Sequence, residues 1–157
     1  MNNSAILLVL NLQNSYSDNL KEEINEMILL SNTLKYQIIE TIIQKKNTID
    51  SSTYFGKGKI LEVINQAKAL NCQYIFINDE LKPNHYKNIQ KLCKNDLILI
   101  DRTKLILDIF SKHAKTREAK TQVNLAKLEY MMPRLVGMWT HLERQAGGTG
   151  TRGGPGE

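Results

Sequence analysis

The first hundred residues of this chain alternate between short apolar runs and amphipathic stretches, and this alternation constrains the fold most strongly. Four runs are rich in the branched apolar residues that favour β-strands, and they lie at residues 5–10, 38–43, 74–77 and 97–100. Between them, apolar residues recur at the three- and four-residue spacing of amphipathic helices. The first run, Ala5–Leu10, is apolar throughout, which is typical of a strand buried on both faces of a sheet.

Strands that alternate with helices predict a parallel sheet covered by helices, which is an α/β fold. Because crossover connections are right-handed, few topologies remain, and we favour a four-stranded, doubly wound sheet with the strand order 2-1-3-4. In such sheets, ligands bind beyond the carboxyl ends of the strands. We therefore predict an α/β domain over residues 1–101.

The pattern changes after Asp101, where two helical patterns follow and no further strand is indicated. We predict that residues 102–144 form a helical hairpin, a short helix packed antiparallel to a long one that begins near Thr116. Pro133 should end or kink the long helix, because proline has no N–H to donate.

Residues 145–157 contain six of the nine glycines of the chain and almost nothing apolar. Such a segment cannot build a core, because it has too few apolar side chains to bury. We therefore predict that the chain ends in a flexible, glycine-rich linker.

The composition predicts a cytoplasmic globular protein. Hydrophobic residues make up 41% and charged residues 24% of the chain, an ordinary globular mix. No apolar run approaches the roughly 18 residues of a membrane span, and the N-terminus lacks the features of a secretory signal. Cys72 and Cys93 have no CxxC spacing, so we expect two reduced, buried thiols.

The charge is unevenly distributed along the chain. Residues 1–101 carry as many acidic as basic side chains, so the net charge of +5 arises within residues 102–157. This asymmetry suggests a surface that faces a polyanion. A solvated helix with surplus lysine is the alternative.

Two glycines and two lysines precede the second predicted helix, within Tyr54–Lys59. Free backbone amides, positive charge and the helix dipole together favour an anion at Gly56, Lys57, Gly58 and Lys59. The segment is not a P-loop, because neither Gly-Lys pair is followed by the Ser or Thr that this motif requires. A glycine-rich turn with solvated lysines is the simpler alternative.

Acidic residues follow two of the predicted strands, at Asp79, Glu80 and Asp101. They could hold a metal or act as acid and base, but helix capping and turn formation explain them more simply. The three histidines share no metal-ligand spacing with each other or with the cysteines. We therefore predict no metal site and no catalytic residue in this chain.

The last third of the chain combines basic residues with aromatic residues and methionines, a combination that suits RNA binding. The candidate RNA contacts are Arg117, Lys120, Lys127, Arg134, Arg144 and Arg152. The alternative is that the apolar side chains pack inward while the basic ones face water.

Four separated motifs occur in an order that resembles the N-terminal region of the HflX family of ribosome-associated GTPases. They are Tyr54–Lys59, then Asp101–Thr103 with Leu107–Phe110, then Leu128–Tyr130 with Pro133–Leu135, and finally Arg144–Gln145 with Gly148–Glu157. The family has a single glycine before the proline of the last motif, so the pair Gly153–Gly154 departs from its pattern.

The resemblance implies an N-terminal α/β domain and a helical hairpin that precede a GTPase domain in cis. This chain has no Walker A motif, so we predict that it does not hydrolyse GTP by itself, and we expect GTP and Mg²⁺ only in the GTPase domain. The resemblance also implies cytoplasmic binding to the large ribosomal subunit and its rRNA, with splitting or rescue of stalled ribosomes by the full-length protein. The alternatives are a weak adenine-nucleotide-binding or hydrolysing domain that uses Gly56–Lys59, and a fragment that occupies the ribosomal site without turnover.

Overall fold

The computed structural model describes residues 2–13 and 19–150, which form a parallel sheet with helices packed on both faces. The strands are β1 (Ser4–Leu12), β2 (Gln37–Lys46), β3 (Tyr74–Ile77) and β4 (Ile98–Asp101). The helices are α1 (Leu20–Thr33), α2 (Lys57–Ala69), α3 (Pro83–Cys93), α4 (Arg102–His113) and α5 (Arg117–Gly150).

The sheet has the strand order β2-β1-β3-β4, and its strand pairs are all parallel. Both the α/β class and the predicted order 2-1-3-4 are therefore confirmed. The pairing of β1 with β2 shifts register between Ala5 and Ile6, and it is otherwise continuous from Ser4 to Leu12.

Successive side chains of β1 enter two separate cores, because neighbouring residues of a strand point to opposite faces of the sheet. Ile6, Leu8 and Leu10 pack in the core beneath α2 and α3. Ala5 and Leu7 belong to the other core, with residues of α1 and α4. Fully burying one such aliphatic side chain stabilises the fold by about 1.5–3 kcal/mol, which explains why the stretch from Ala5 to Leu10 is apolar throughout.

Cys72 and Cys93 are free and buried, which confirms the prediction of two buried thiols. Burial raises the pKa of the Cys93 thiol to about 11, and it also raises that of Cys72. Both thiols are therefore protonated and unreactive near neutral pH.

Of the two outcomes predicted for Pro133, the end of the long helix does not occur, because Pro133 lies inside α5. The helix continues to Gly150, so the first part of the predicted glycine-rich linker is helical; residues 151–157 lie outside the described residues. Side-chain contacts keep the helix in place around the proline, since Tyr130 and Arg134 are both buried.

The two C-terminal helices contact each other, as the hairpin prediction requires, but α5 also packs on α3. It therefore docks against the α/β unit as well as against α4. Within the described residues, no helix is long and apolar enough to cross a membrane.

Candidate functional site

A cleft of about 630 Å³ opens at the carboxyl edge of the sheet, the edge at which such folds bind ligands. Its walls come from the β2–α2 loop (residues 47–56) and from the β3–α3 loop with the first turn of α3. The lining residues are Ile49, Ser51, Tyr54, Asp79, Glu80, Lys82, Asn84 and His85.

The β2–α2 loop is tied to α3 by three side chains from the first two turns of that helix. The Asn84 side-chain amide donates to the Ser51 carbonyl oxygen at 3.1 Å, and His85 Nε2 donates to the same oxygen at 3.1 Å. The Asn88 amide donates to the Ser52 carbonyl oxygen at 2.8 Å. These bonds give the cleft a fixed wall, because they hold the loop by its backbone.

Asp50 organises the loop from within. Its Oδ1 accepts hydrogen bonds from the backbone N–H groups of Ser52 and Thr53, at 2.8 and 3.0 Å. Both bonds favour the charged form of the carboxyl, so they lower the pKa of Asp50. The tight turn places Tyr54 at a positive φ of 65° and directs its side chain towards the β3–α3 loop.

Tyr54 and Asp79 close the floor of the cleft with a hydrogen bond of 2.6 Å from the phenol to Oδ2 of the carboxylate. Burial, followed by the neighbouring carboxylate, raises the pKa of Tyr54 well above its ordinary value. The phenol therefore remains a donor at neutral pH. The sequence gives no local signal for this pair, whose members lie far apart in the chain and meet because two loops converge at one edge.

The other acidic residues of this edge also serve the fold. Asp101 is fully buried; its Oδ1 caps α4 by accepting from the Lys104 N–H at 2.9 Å, and its Oδ2 accepts from the Leu81 N–H at 2.9 Å. Glu80 accepts a hydrogen bond of 2.7 Å from the Thr103 hydroxyl. Among the described residues, no group of three acidic, histidine or cysteine side chains could hold a metal ion.

The glycine-lysine turn begins α2 but does not line the cleft. Gly56 is the N-cap, and its N–H donates to the Gln44 side-chain oxygen at 3.0 Å. A Cβ at this position would lie 3.1 Å from the Gln44 amide nitrogen, so glycine permits the close approach. Lys59 pairs with Glu62 at 3.4 Å, whereas Lys57 and Gly58 are exposed.

Of the predicted RNA contacts, Arg117 and Lys120 are exposed at the start of α5. Lys112 and Lys115 are exposed just before them, and we call these four residues the basic corner. Glu118 is the single acidic residue within residues 112–120. The corner therefore concentrates positive charge on a short stretch of surface.

The remaining basic candidates are placed differently. Lys127 is partly buried and pairs at 3.2 Å with Asp108 of α4, which also binds Lys104. Arg134 is 5% exposed, so in this fold its guanidinium faces the interior and not a phosphate. The side chain of Arg144 and all of Arg152 lie outside the described residues.

Comparison with known proteins places this arrangement in a family. A family model described as GTP-binding GTPase N-terminal matches residues 21–111, and one described as GTP-binding GTPase middle region matches residues 113–157. The chain is 43% identical over 144 residues to GTPase HflX of Alkalihalophilus pseudofirmus, a match that covers 92% of this chain and 33% of that protein. It belongs to the HflX family.

The chain corresponds to the N-terminal region of HflX proteins, as the four motifs imply. GTPase HflX of Escherichia coli is 38% identical over 136 residues, which cover 87% of this chain and 31% of the relative. The chain thus spans about a third of the length of these relatives.

A solved structure of a GTP-binding protein shares the fold. A GTP-binding protein from the archaeon Sulfolobus solfataricus, in complex with GDP, superposes with a TM-score of 0.64 at 27% identity, over 89% of this chain and 40% of that one. The matches to the two family models meet between residues 111 and 113, at the end of α4. The middle-region match therefore contains α5 and the basic corner except Lys112.

Proposed function

We propose that this chain is the ribosome-docking region of an HflX GTPase and that it binds rRNA of the large ribosomal subunit in the cytoplasm. The observation that carries the proposal is the basic corner, where Lys112, Lys115, Arg117 and Lys120 are exposed together. Splitting or rescue of stalled ribosomes would then belong to the full-length protein.

The charges of the chain support a polyanionic partner. The α/β part carries no net charge, whereas residues 102–157 carry the whole +5 of the chain. Phosphate groups attract such a surface at long range, and binding releases their counterions. The α/β unit acts as a rigid base, because α5 is packed against both α3 and α4.

GTP chemistry is assigned in this proposal to a GTPase domain in cis. The HflX relatives are about three times as long as the part that this chain matches, and they are named GTPases. No segment of the chain has the Walker A pattern, whose backbone holds phosphates and whose Ser or Thr binds Mg²⁺. The proposed role of this chain is therefore to recognise and orient, with no GTP or Mg²⁺ of its own.

An adenine-nucleotide site at the glycine-lysine turn has weaker support. The Gly56 N–H is already bonded to Gln44, and Lys59 is paired with Glu62, so half of the turn is engaged. The carboxylates that such an enzyme would use also hold loops and cap a helix. A small set of exposed groups, at Lys57 and Gly58, is left for an anion.

The test is binding to purified large ribosomal subunits at several salt concentrations. Affinity should fall steeply with salt, and Arg117→Ala or Lys120→Ala should each reduce the log-log salt slope by up to about one unit. Lys21→Ala is the matched control, because Lys21 is exposed on α1 and lies outside the basic corner. A salt-independent affinity, or a larger loss from the control than from the two α5 variants, would refute the proposal.

A further inference from the structure

Arg134 lies at the seam between α5 and the α/β unit, and its contacts cross that seam. One terminal nitrogen of the guanidinium donates to the carbonyl oxygen of Leu81, in the β3–α3 loop. The other donates to the carbonyl oxygen of Tyr130, one turn back along α5. The central carbon of the guanidinium lies 3.7 Å from the centre of the Tyr130 ring. Arg134 therefore touches the loop, the helix backbone and an aromatic ring at once.

The residue before it, Pro133, is the point at which α5 bends most easily. Proline has no N–H, so the carbonyl of residue 129 loses its helical partner, and the proline ring presses on that carbonyl. Sharp bends in helices concentrate at such positions. Pro133, where the helix bends most easily, is therefore next to Arg134, which binds the helix to the β3–α3 loop.

Burying an arginine at this interface costs free energy, and packing alone would not require it. Its charge must be withdrawn from water, and its Nε has no hydrogen-bond partner among the described residues. An apolar side chain would fill the same space at a lower cost. A planar guanidinium, however, donates in fixed directions, so it specifies the angle between the two groups that it joins.

The loop end of this contact is itself held firmly. Leu81 is fully buried, and its N–H donates to Asp101 Oδ2 at 2.9 Å. Asp101 also caps α4, so the carbonyl that receives Arg134 belongs to a loop fixed from a second element. Tyr130 is buried, with its ring against the guanidinium.

We propose that Pro133 and Arg134 form a pinned hinge. Pro133 allows α5 to bend, and Arg134 fixes the direction in which residues 134–150 leave the α/β unit. Arg134 is thus a positioning residue. Its effect on ribosome binding rests on the proposed function, whereas the geometry of the hinge does not.

The test measures the distance distribution between two spin labels on the full chain by pulsed electron paramagnetic resonance. One label replaces Asn65, exposed on α2, and the other replaces Ala146, near the end of α5. The native thiols Cys72 and Cys93 are buried, with raised pKa values, so they react slowly with the label. Arg134→Leu should broaden the distribution, because both hydrogen bonds of the guanidinium are lost, and Arg134→Lys should broaden it less because one donor is kept.

Replacing the proline distinguishes a hinge at Pro133 from a general loss of packing around Arg134, because it restores the missing helical hydrogen bond. In the variant that combines Arg134→Leu with Pro133→Ala, the helical N–H returns, so the distribution should become narrow again. Lys91→Ala, on the exposed side of α3, is the control and should leave the width unchanged. An unchanged width in Arg134→Leu, or a broadening that Pro133→Ala does not reverse, would overturn the hinge. Should Arg134→Leu fail to fold, Arg134→Lys alone and with Pro133→Ala supplies the same comparison.

Ribosome binding gives an independent second readout. The basic corner precedes the hinge and a buried guanidinium touches no phosphate, so Arg134→Leu should leave the salt slope of large-subunit binding unchanged, unlike Arg117→Ala. An Arg134→Leu slope reduced like that of Arg117→Ala would contradict the positioning role. Absence of any large-subunit binding by the unmodified chain would refute the proposed function and leave the hinge to the distance measurement.

Discussion

Tyr54 and Asp79 show how single residues at the carboxyl edge of the sheet hold its loops together. Their 2.6 Å hydrogen bond links the β2–α2 loop to the end of β3. Tyr54 is 8% exposed, so this link lies on the inner side of the cleft. Removing the bond should therefore loosen the wall of the cleft while leaving the sheet intact.

A double-mutant cycle tests this bond. Tyr54→Phe, Asp79→Ala and the double variant should give a coupling free energy of about 1.5–3 kcal/mol, the usual net contribution of a hydrogen bond to a charged group. The measurement is urea unfolding followed by circular dichroism. The exposed bond between Thr103 and Glu80 provides a control cycle with a smaller coupling. A coupling near zero for Tyr54 and Asp79 would mean that water replaces the bond without cost.

The sequence predicts the role of a residue when that role depends on its neighbours in the chain, and not when it depends on contacts with distant residues. The capping role of Asp101 follows from its position between a strand and a helix, and the structure confirms it. The sequence instead predicts that Arg134 contacts RNA, because a basic residue on a helix normally faces water. Its burial depends on Leu81, which is distant in sequence, so no local pattern signals it.

At the scale of elements, Asp101 joins three of them, since it ends β4, begins α4 and binds the β3–α3 loop. Its side chain is fully buried, so a smaller residue would leave two N–H groups without an acceptor. One of these groups is an orphan donor of the first turn of α4. The other belongs to the loop that also receives Arg134.

We expect Asp101→Ala to lower the free energy of unfolding by about 2–4 kcal/mol, the sum of a lost helix cap and a lost buried hydrogen bond. Asp101→Asn should cost less, because it keeps one acceptor oxygen. Asp96→Ala is the control: its carboxylate forms a surface pair with Lys68 at 3.0 Å, and such pairs contribute at most about 1 kcal/mol. Equal losses for Asp101→Ala and Asp96→Ala, by urea unfolding, would show that the buried bonds contribute little.

The strands and their order follow from the sequence because period and composition are local signals. The runs at β1, β3 and β4 are short, apolar and rich in residues that favour strands, and right-handed crossovers restrict their order. The length of α5 does not follow in the same way. A proline normally ends a helix, and α5 continues past Pro133 with support from the buried contacts of Tyr130 and Arg134.

At the scale of the whole molecule, the apolar cores and the exposed positive charge lie in two different regions of the chain. The α/β unit has two apolar cores and no net charge, whereas the basic corner carries exposed positive charge. Charge counting along the sequence indicates which third of the chain is basic. It does not show which cations are exposed, since Lys127 and Arg134 are held by the fold while Arg117 and Lys120 are exposed.

The same division makes a prediction about nucleotides. The chain alone should neither bind GTP tightly nor hydrolyse it, because it lacks the loop that surrounds a β-phosphate and presents a hydroxyl to Mg²⁺. An anion at the start of α2 would meet exposed groups at Lys57 and Gly58, so any binding of ATP or GTP there should be weak, salt-sensitive and indifferent to the base. Calorimetric titration with both nucleotides is the measurement.

The Gly56–Lys59 turn also supplies the variants for that titration. Lys57→Ala should abolish the weak binding, and Lys87→Ala on α3 is the control for the loss of one lysine. Micromolar affinity for GTP that a substitution within residues 1–157 destroys would refute the prediction, because it would place guanine-nucleotide recognition in this chain. Micromolar affinity for ATP that depends on Lys57 would instead favour the nucleotide-binding alternative. Binding that disappears at moderate salt, with equal affinity for both bases, is the outcome that the exposed lysine and the engaged amide of Gly56 predict.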